Sequence, residues 1–484
     1  MLTLPLNILF IFAVTTPAVG YLGNKYGYKN LCGVYALIGV FLAGYAVYDL
    51  YLVASGGVYV FPSDFTRLFA HFRIDTLGFF MAFIQVGLGL LATLYSIRYM
   101  EEKWPTPLYY SSLLAMIGGM MGVVFAADLF TLFVFWELMC ISSYMLVAFD
   151  REWEPIEAGL KYLLMSAAGS ATFLYGISLI YGFAGSLDFV TLASTLGQAP
   201  INRWFNFTYL LIFVGLGIKA AVVPLHTWLP DAHSAAPTPI SAMLSGIVIE
   251  TGLYAMFRVS YTALASIHVE WMLILAVFSI ITMTLGNLSA LLQKDLKRLL
   301  AYSSIAHIGY MLVGLCIGTE LALTGSFLHI FNHALMKGTA FLCTGAILYR
   351  LGSRDLDKIG GIGRKMPITA TAFGISLLAL SGLPGLNGFV SELTLVLSTL
   401  EEDLLWLGIA VILNTAISAG YYLRIFRTMI QSPPTELAEE AEEAPVSMLV
   451  PICLLAIFIV VFGIWPDIVL DLARQAAQGL LAVI

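Results

Sequence analysis

Long apolar runs separated by short polar breaks fill this chain from end to end. A helix needs about 20 apolar residues to cross a bilayer. About fourteen such runs can be drawn, near 3–22, 31–53, 76–97, 109–126, 129–149, 159–183, 205–228, 237–257, 270–291, 299–318, 322–349, 368–396, 404–423 and 447–466. The pattern predicts an all-α polytopic membrane protein with about fourteen transmembrane helices. The longest polar-tending pieces between them are 54–74, 350–367 and 428–446. The first run lacks a basic leader and a cleavage site, so it is expected to be a retained helix.

The chain also echoes itself. Asp128-Leu129 precedes Tyr144-Met145-Leu146-Val147, and about 166 residues later Asp295-Leu296 precedes Tyr310-Met311-Leu312-Val313. The two copies frame the fifth and tenth spans. That offset is an odd number of spans, so the copies are expected to cross in opposite directions, as inverted repeats do. The expected division is 1–105 for the first three helices, 106–265 for a first five-helix repeat, 266–430 for a second, and 431–484 for an acidic loop and the last helix. Interruptions fall at matching places. Span seven meets Pro224, Pro230, Pro237 and Pro239, and span twelve meets Gly382, Pro384, Gly385 and Gly388. Proline removes a backbone donor and glycine weakens a helix. Discontinuous helices 7 and 12 are therefore expected, with freed backbone groups met by protein, water or ions.

Composition agrees with a membrane class. The chain is 60% hydrophobic and 11% charged, too little charge to cover a soluble surface of this size. Loops after odd-numbered spans hold most of the 23 Lys and Arg, among them Lys25, Lys29, Lys294, Lys297, Arg298 and Arg350. Loops after even-numbered spans, with the C-terminus, hold Arg67, Arg73, Arg203, Arg258 and Arg474. The bias places the chain in the cell (inner) membrane with both termini on the non-cytoplasmic side. Much of the net charge of −7 lies between Glu436 and Glu443, read as a solvated loop. The scattered cysteines Cys32, Cys140, Cys316, Cys343 and Cys453 form no CxxC pair, so no disulfide framework, zinc site or iron–sulfur cluster is expected. Nothing suggests a nucleic-acid partner. Gly360-Gly361-Ile362-Gly363-Arg364-Lys365 lacks the spacing of a phosphate loop and reads as a turn. No redox or catalytic centre is legible, and no cofactor is expected on this chain.

Five charges sit well inside the spans, with alternating sign: Glu137, Lys219, Glu250, Lys337 and Glu392. Each costs about 2.5–3.5 kcal/mol at a bilayer centre if left unpaired. Static ion pairs would meet that cost, and so would groups that change protonation state. Loss of water penalises the charged form of any such group. Acids and bases are thereby brought to where they can trade protons. Glu137 and Lys219 are the candidate switching pair. His329, His333 and Lys337 recur at a spacing of four, which leaves them within about 80° on one helix face over about 12 Å. Histidine passes protons in either direction, so a relay is expected there. The rival reading is a metal held by the two histidines; the segment lacks the HExxH glutamate, and no metal is expected. His226 and His307 are candidates for a water path, while His71, His233 and His268 read as loop or interface residues.

At these residues the sequence resembles the antiporter-like membrane subunits shared by respiratory complex I, its F420H2 dehydrogenase and membrane-bound hydrogenase relatives, and Mrp Na⁺/H⁺ antiporters. The resemblance is carried by FWELMCISSYML at 135–146, GIKAAVVPLHTWLPDAHSAAPTPISAML at 217–244, KDLKRLLAYSSIAHIGYM at 294–311, HIFNHALMKGTAFLCTG at 329–345 and SGLPGLNGFVSEL at 381–393. It implies a fourteen-helix subunit of two inverted repeats, of the shorter type without a lateral helix. It also implies a first half-channel at Glu137 and Lys219, joined through His329, His333 and Lys337 to Glu392. Many relatives carry lysine or histidine on span eight, where this chain has Glu250. The function implied is proton or Na⁺ translocation within a redox-driven complex of NADH-quinone oxidoreductase type or a hydrogenase. The alternative is a multi-chain Mrp-type Na⁺/H⁺ antiporter. Implied partners are homologous antiporter-like subunits, other membrane subunits, membrane lipid, and iron–sulfur or hydrogenase-type peripheral subunits.

Overall fold

The computed structural model describes residues 3–54, 59–60, 71–103, 105–198, 203–268 and 271–482. Arg67, most of the expected 54–74 loop and the side chain of His268 lie outside the described residues.

The apolar runs become helices, and polar caps and glycines end them. In order come α1 (Leu4–Tyr26), α2 (Leu31–Val53), α3 (Thr76–Tyr99), α4 (Thr106–Phe125), α5 (Leu129–Val147) and α6 (Trp153–Ala184). A short antiparallel pair, β1 (Tyr59–Val60) with β2 (Arg73–Ile74), precedes α3. Next are α7 (Phe189–Gly197), α8 (Arg203–Lys219), α9 (Trp228–Ala235), α10 (Thr238–Met243), α11 (Ile249–Tyr261) and α12 (Ala265–His268). The rest comprises α13 (Met272–Leu291), α14 (Leu296–Ile317), α15 (Glu320–Leu351), α16 (Pro367–Leu380), α17 (Asn387–Glu401), α18 (Leu405–Gln431), α19 (Glu436–Glu439), α20 (Val446–Ile464) and α21 (Asp467–Leu481).

Eleven helices among the described residues, counting Thr238–Tyr261 as one, are long and apolar enough to cross a membrane. The expected seventh, eleventh and twelfth spans are not among them. The seventh and twelfth are each broken in two, as α8/α9 and α16/α17, and the eleventh is the polar-studded α15. The most apolar window of Thr238–Tyr261 is wholly buried and that of α14 is 94% buried, against 33% for α1 and α18. The polar-bearing α10–α11 and α14 thus run through the middle, and the peripheral helices turn apolar faces outward. Leu164, Tyr175, Ile412 and Leu413 are exposed, which suits a lipid or subunit boundary rather than water.

The sequence echo has a structural counterpart. Asp128 and Asp295 cap α5 and α14, accepting from Phe130 and Thr131 N–H at 2.8 Å and from Arg298 N–H at 2.9 Å. They satisfy donors that a helix start cannot satisfy itself. Each aspartate also forms an isolated antiparallel bridge, Asp128 with Asp188 and Asp295 with Asp355. Between these bridges α6 and α15 are both 32 residues long. They end on left-handed Gly185 (φ +68°) and Gly352 (φ +65°), where a side chain would be strained.

The breaks are built differently. At the first, Ala221 adopts φ +55°. Thr282 Oγ1 accepts from Val223 N–H at 3.2 Å, and Trp228 Nε1 donates to Ile218 O at 2.7 Å, so backbone groups freed by the interruption find partners. At the second, Gly382 and Gly385 take left-handed φ of +71° and +92°. Gly388 lets α17 press against the end of α16: a Cβ there would lie 2.1 Å from Ala379 O. Gly388→Ala is expected to destabilise the protein by about 1–3 kcal/mol through overpacking. A thermal melt of the purified complex reads this, and an unshifted melt would show that the two half-helices are not in close contact.

Three features depart from the sequence reading. A π-helical turn, Leu244–Val248, interrupts α10–α11 just before Glu250; no proline or glycine pair marks it. A further helix not expected from the sequence, α21, follows the last apolar span and folds back over α3 and α15, with Gln478 Nε2 donating to Glu320 Oε1 at 2.9 Å. The acidic stretch is not wholly solvated: Glu443 caps α16, accepting from Ile368 N–H at 2.8 Å and Thr369 Oγ1 at 2.6 Å.

Candidate functional site

Two buried groups of acid–base residues occupy the interrupted helices and their neighbours. In the first, Lys219 ends α8, where its ammonium is 2% exposed. It donates to Ser143 Oγ at 3.0 Å and to the hydroxyl of Tyr162. It also lies 4.7 Å from the centre of the Tyr162 ring, which stacks on Trp228 at 3.9 Å. Glu137 is half-buried on α5 and accepts from Ser170 of α6. Ser143 lies six residues, about 9 Å, further along α5 than Glu137. The expected Glu137–Lys219 pair is therefore apart: among the described residues no carboxylate lies within 4.0 Å of the lysine. The reason is local. Tyr162 and Ser143 already satisfy the ammonium with neutral oxygens and a π-face, which the spacing of charges along a sequence does not reveal.

The second group centres on α11, α14, α15 and α17. Glu250 and His333 are fully buried and bonded, carboxylate to Nδ1. The His333 ring lies 4.9 Å from that of His307. His307 Nδ1 meets His329 Nε2 at 2.9 Å, and His329 Nδ1 meets Ser391 Oγ at 2.9 Å. Glu392 follows Ser391 and accepts from Thr415 Oγ1 at 2.9 Å, while its Oε1 has no partner. A side branch runs from His307 Nε2 to Tyr422 OH at 3.1 Å. Lys337 stands 5.8 Å from the Tyr422 ring centre and donates to Ser303 Oγ and to Leu300 O at 3.0 Å. No carboxylate pairs with it among the described residues. The stripe His329, His333, Lys337 does share a side of α15, but only the histidines join the chain directly. His307, on α14, is the link between them. Imidazoles accept at one nitrogen and release from the other; His307 and His329 are hydrogen-bonded to each other, whereas His333 meets His307 only ring to ring, its Nε2 without a partner.

The two groups are adjacent. A Cβ on Gly252, two residues beyond Glu250, would lie 2.9 Å from Ala220 N, so α11 rests against the break that follows Lys219. His226 sits half-buried in that break, its Nδ1 without a partner and outside the histidine row.

Several residues expected in loops or at interfaces are buried instead. Arg258, read as a loop residue, is 3% exposed and grips Asp75 with two bonds of 2.6 and 2.7 Å. Lys297, also read as a loop cation, is 2% exposed. His233, read as a loop or interface residue, is fully buried. All lie near the ends of apolar runs, where a one-dimensional reading cannot separate a loop from a buried helix end. Among the described residues no group of three or more His, Cys, Asp and Glu is placed to hold a metal ion.

A polytopic helical membrane protein with broken helices flanking a buried row of acids, lysines and histidines is the class that fold and site define. The chain belongs to the NADH:quinone oxidoreductase/Mrp antiporter transmembrane family, which residues 126–418 match. Residues 63–110 match the N-terminal family of complex I chain 5. It is 31% identical over 463 residues to F(420)H(2) dehydrogenase subunit N of Methanosarcina mazei, covering 93% of each chain. It resembles a chain of the membrane-bound sulfane sulfur reductase, an archaeal respiratory membrane complex, with a TM-score of 0.88, 29% identity and coverage of 99% and 98%. A chain of the Mrp complex from Dietzia sp. DQ12-45-1b shares the fold, with a TM-score of 0.88, 23% identity and coverage of 99% and 98%.

Proposed function

We propose that this chain is an ion-translocating, antiporter-like subunit of a redox-driven membrane complex, moving protons, with Na⁺ as the alternative cargo. The observation that carries it is the buried row from Glu250 through His333, His307 and His329 to Ser391 beside Glu392, flanked by Lys219 and Lys337. A packing core has no use for so many titratable groups held from water. The likeness to subunits of F(420)H(2) dehydrogenase and sulfane sulfur reductase favours redox coupling, with electron carriers on partner chains and no cofactor on this one. The Mrp likeness, at lower identity, supports the fold.

In this reading α8/α9, α15 and α16/α17 also cross the membrane, giving fourteen crossings. Residues 106–265 and 266–430 then run in opposite directions. Both termini face away from the cytoplasm. Removing the buried Lys297 and Arg258 from the loop tally leaves the Lys and Arg bias in place. Mass spectrometry of the gently solubilised complex is the test. Iron–sulfur or hydrogenase-type chains are expected beside homologous membrane subunits. A complex made only of membrane antiporter chains would replace redox coupling with Mrp-type exchange.

A further inference from the structure

Two buried bases stand outside the row described above. The Lys297 ammonium, on the first turn of α14, donates to Ala236 O at 2.5 Å and Ser234 O at 3.3 Å. His233, on α9, stacks on Phe341 with ring centres 4.9 Å apart. Neither of its ring nitrogens has a hydrogen-bond partner. Buried polar atoms are nearly always bonded, so an imidazole with two free nitrogens calls for a reason. For packing on Phe341 alone, an apolar side chain would serve better.

The two residues form one unit. Ser234, whose carbonyl holds Lys297, follows His233 directly, and Ser241 Oγ fixes the His233 carbonyl at 3.0 Å. Phe341, on which His233 stacks, stands about one helical turn beyond Lys337 on α15. On its other side Lys297 meets Arg354 through Ser234 O, which accepts from both side chains. Arg354 pairs with Asp295, donates to Ser234 O at 2.5 Å and reaches Glu154 Oε1 at 2.9 Å. Glu154, Lys294, Asp295, Arg354 and Asp355 line a polar surface cavity of about 540 Å³. Polar groups thus run from the surface, on the Lys- and Arg-rich side, to the centre of the row.

Building on the translocation reading above, we propose that Lys297 and His233 are an entry branch carrying protons from this cavity to Lys337. A proton leaves the Lys297 ammonium for the basic nitrogen of His233. The other ring nitrogen releases its own proton to the neutral amine of Lys337, directly or through water. Lys297 then takes a proton from water in the cavity. No electron or other atom moves; Lys297 is recharged from the cavity, His233 regains its starting tautomer when its ring turns over, and Lys337 regains its neutral amine when it passes the proton to the row.

The test uses the intact complex in liposomes loaded with pyranine and driven by a valinomycin–potassium potential, with assembly matched on native gels. His233→Phe and Lys297→Met are expected to slow proton entry at least tenfold. Added imidazole is expected to restore flux through His233→Ala, whereas pyrrole, of the same size but without a basic nitrogen, is not; restoration by both would mark a packing role and overturn the branch. Slow flux that imidazole does not restore would overturn the entry branch. Lys337→Met is the reference. If it blocks flux while His233→Phe conducts fully, only the entry branch falls. If it too conducts fully, the translocation reading itself fails. Should His233→Phe not assemble, His233→Gln keeps the polarity without a titratable nitrogen, and full flux through it would overturn the branch.

Discussion

Lys337→Met is expected to stop ion movement while the complex still assembles. The lysine is fully buried, yet its partners are neutral, Ser303 Oγ and Leu300 O. Its removal leaves no orphan charge behind, so the loss is a hydrogen bond or two, about 1 kcal/mol each. Methionine fills much of the same volume. Function should suffer far more. Lys337 is the base beside Tyr422, which bonds the central His307. With it gone, the row keeps Glu250 and Glu392 but, in the translocation reading, loses the base that takes up and releases the proton between them. Proton flux in pyranine-loaded liposomes should fall at least about tenfold, equivalent to about 1.4 kcal/mol or more in the barrier. An assembled variant that conducts at the unaltered rate would remove the lysine from the relay.

Arg258→Met should do the opposite, striking stability first. The Asp75–Arg258 pair is 1% and 3% exposed and joins the start of α3 to the end of α11. Arg258 Nε also donates to Tyr254 OH at 3.0 Å, which donates to Val124 O at 2.7 Å. Removing the guanidinium leaves a buried carboxylate with Gly78 N–H and the more distant Arg73 Nε, 3.6 Å away. Breaking a buried pair from one side costs about 3–5 kcal/mol. Adding Asp75→Asn removes the stranded charge while keeping an oxygen to cap α3. The double variant should therefore recover part of the loss, a coupling of about 0.5–3 kcal/mol. Thermal unfolding of the four complexes forms the cycle. If Arg258→Met melts with the wild type, the pair is not what ties α3 to α11.

The contrast between these lysines and this arginine explains which site residues were legible. Glu137, Lys219, Glu250, His329, His333, Lys337 and Glu392 stand out because each interrupts a run that would otherwise be wholly apolar. Asp75, Arg258, Lys297 and His233 do not, because each sits where a run ends and a solvated loop is an equally good account. Partner choice was less legible still. Lys219 rests on Ser143 and Tyr162 instead of Glu137, and Glu250 takes His333, 83 residues away.

Hydropathy, the internal echo and the Pro and Gly clusters by themselves determined that this is a polytopic helical membrane protein with two interrupted helices and buried charges. Those signals are local or periodic, and the bilayer leaves backbone groups few alternatives to the helix. Only the folded molecule decided that His307 joins the histidine row, that a π-helical turn precedes Glu250, and that His233 and Lys297 are buried. These depend on which helix faces meet, a matter of packing between segments far apart in the chain, and no spacing along the chain encodes it.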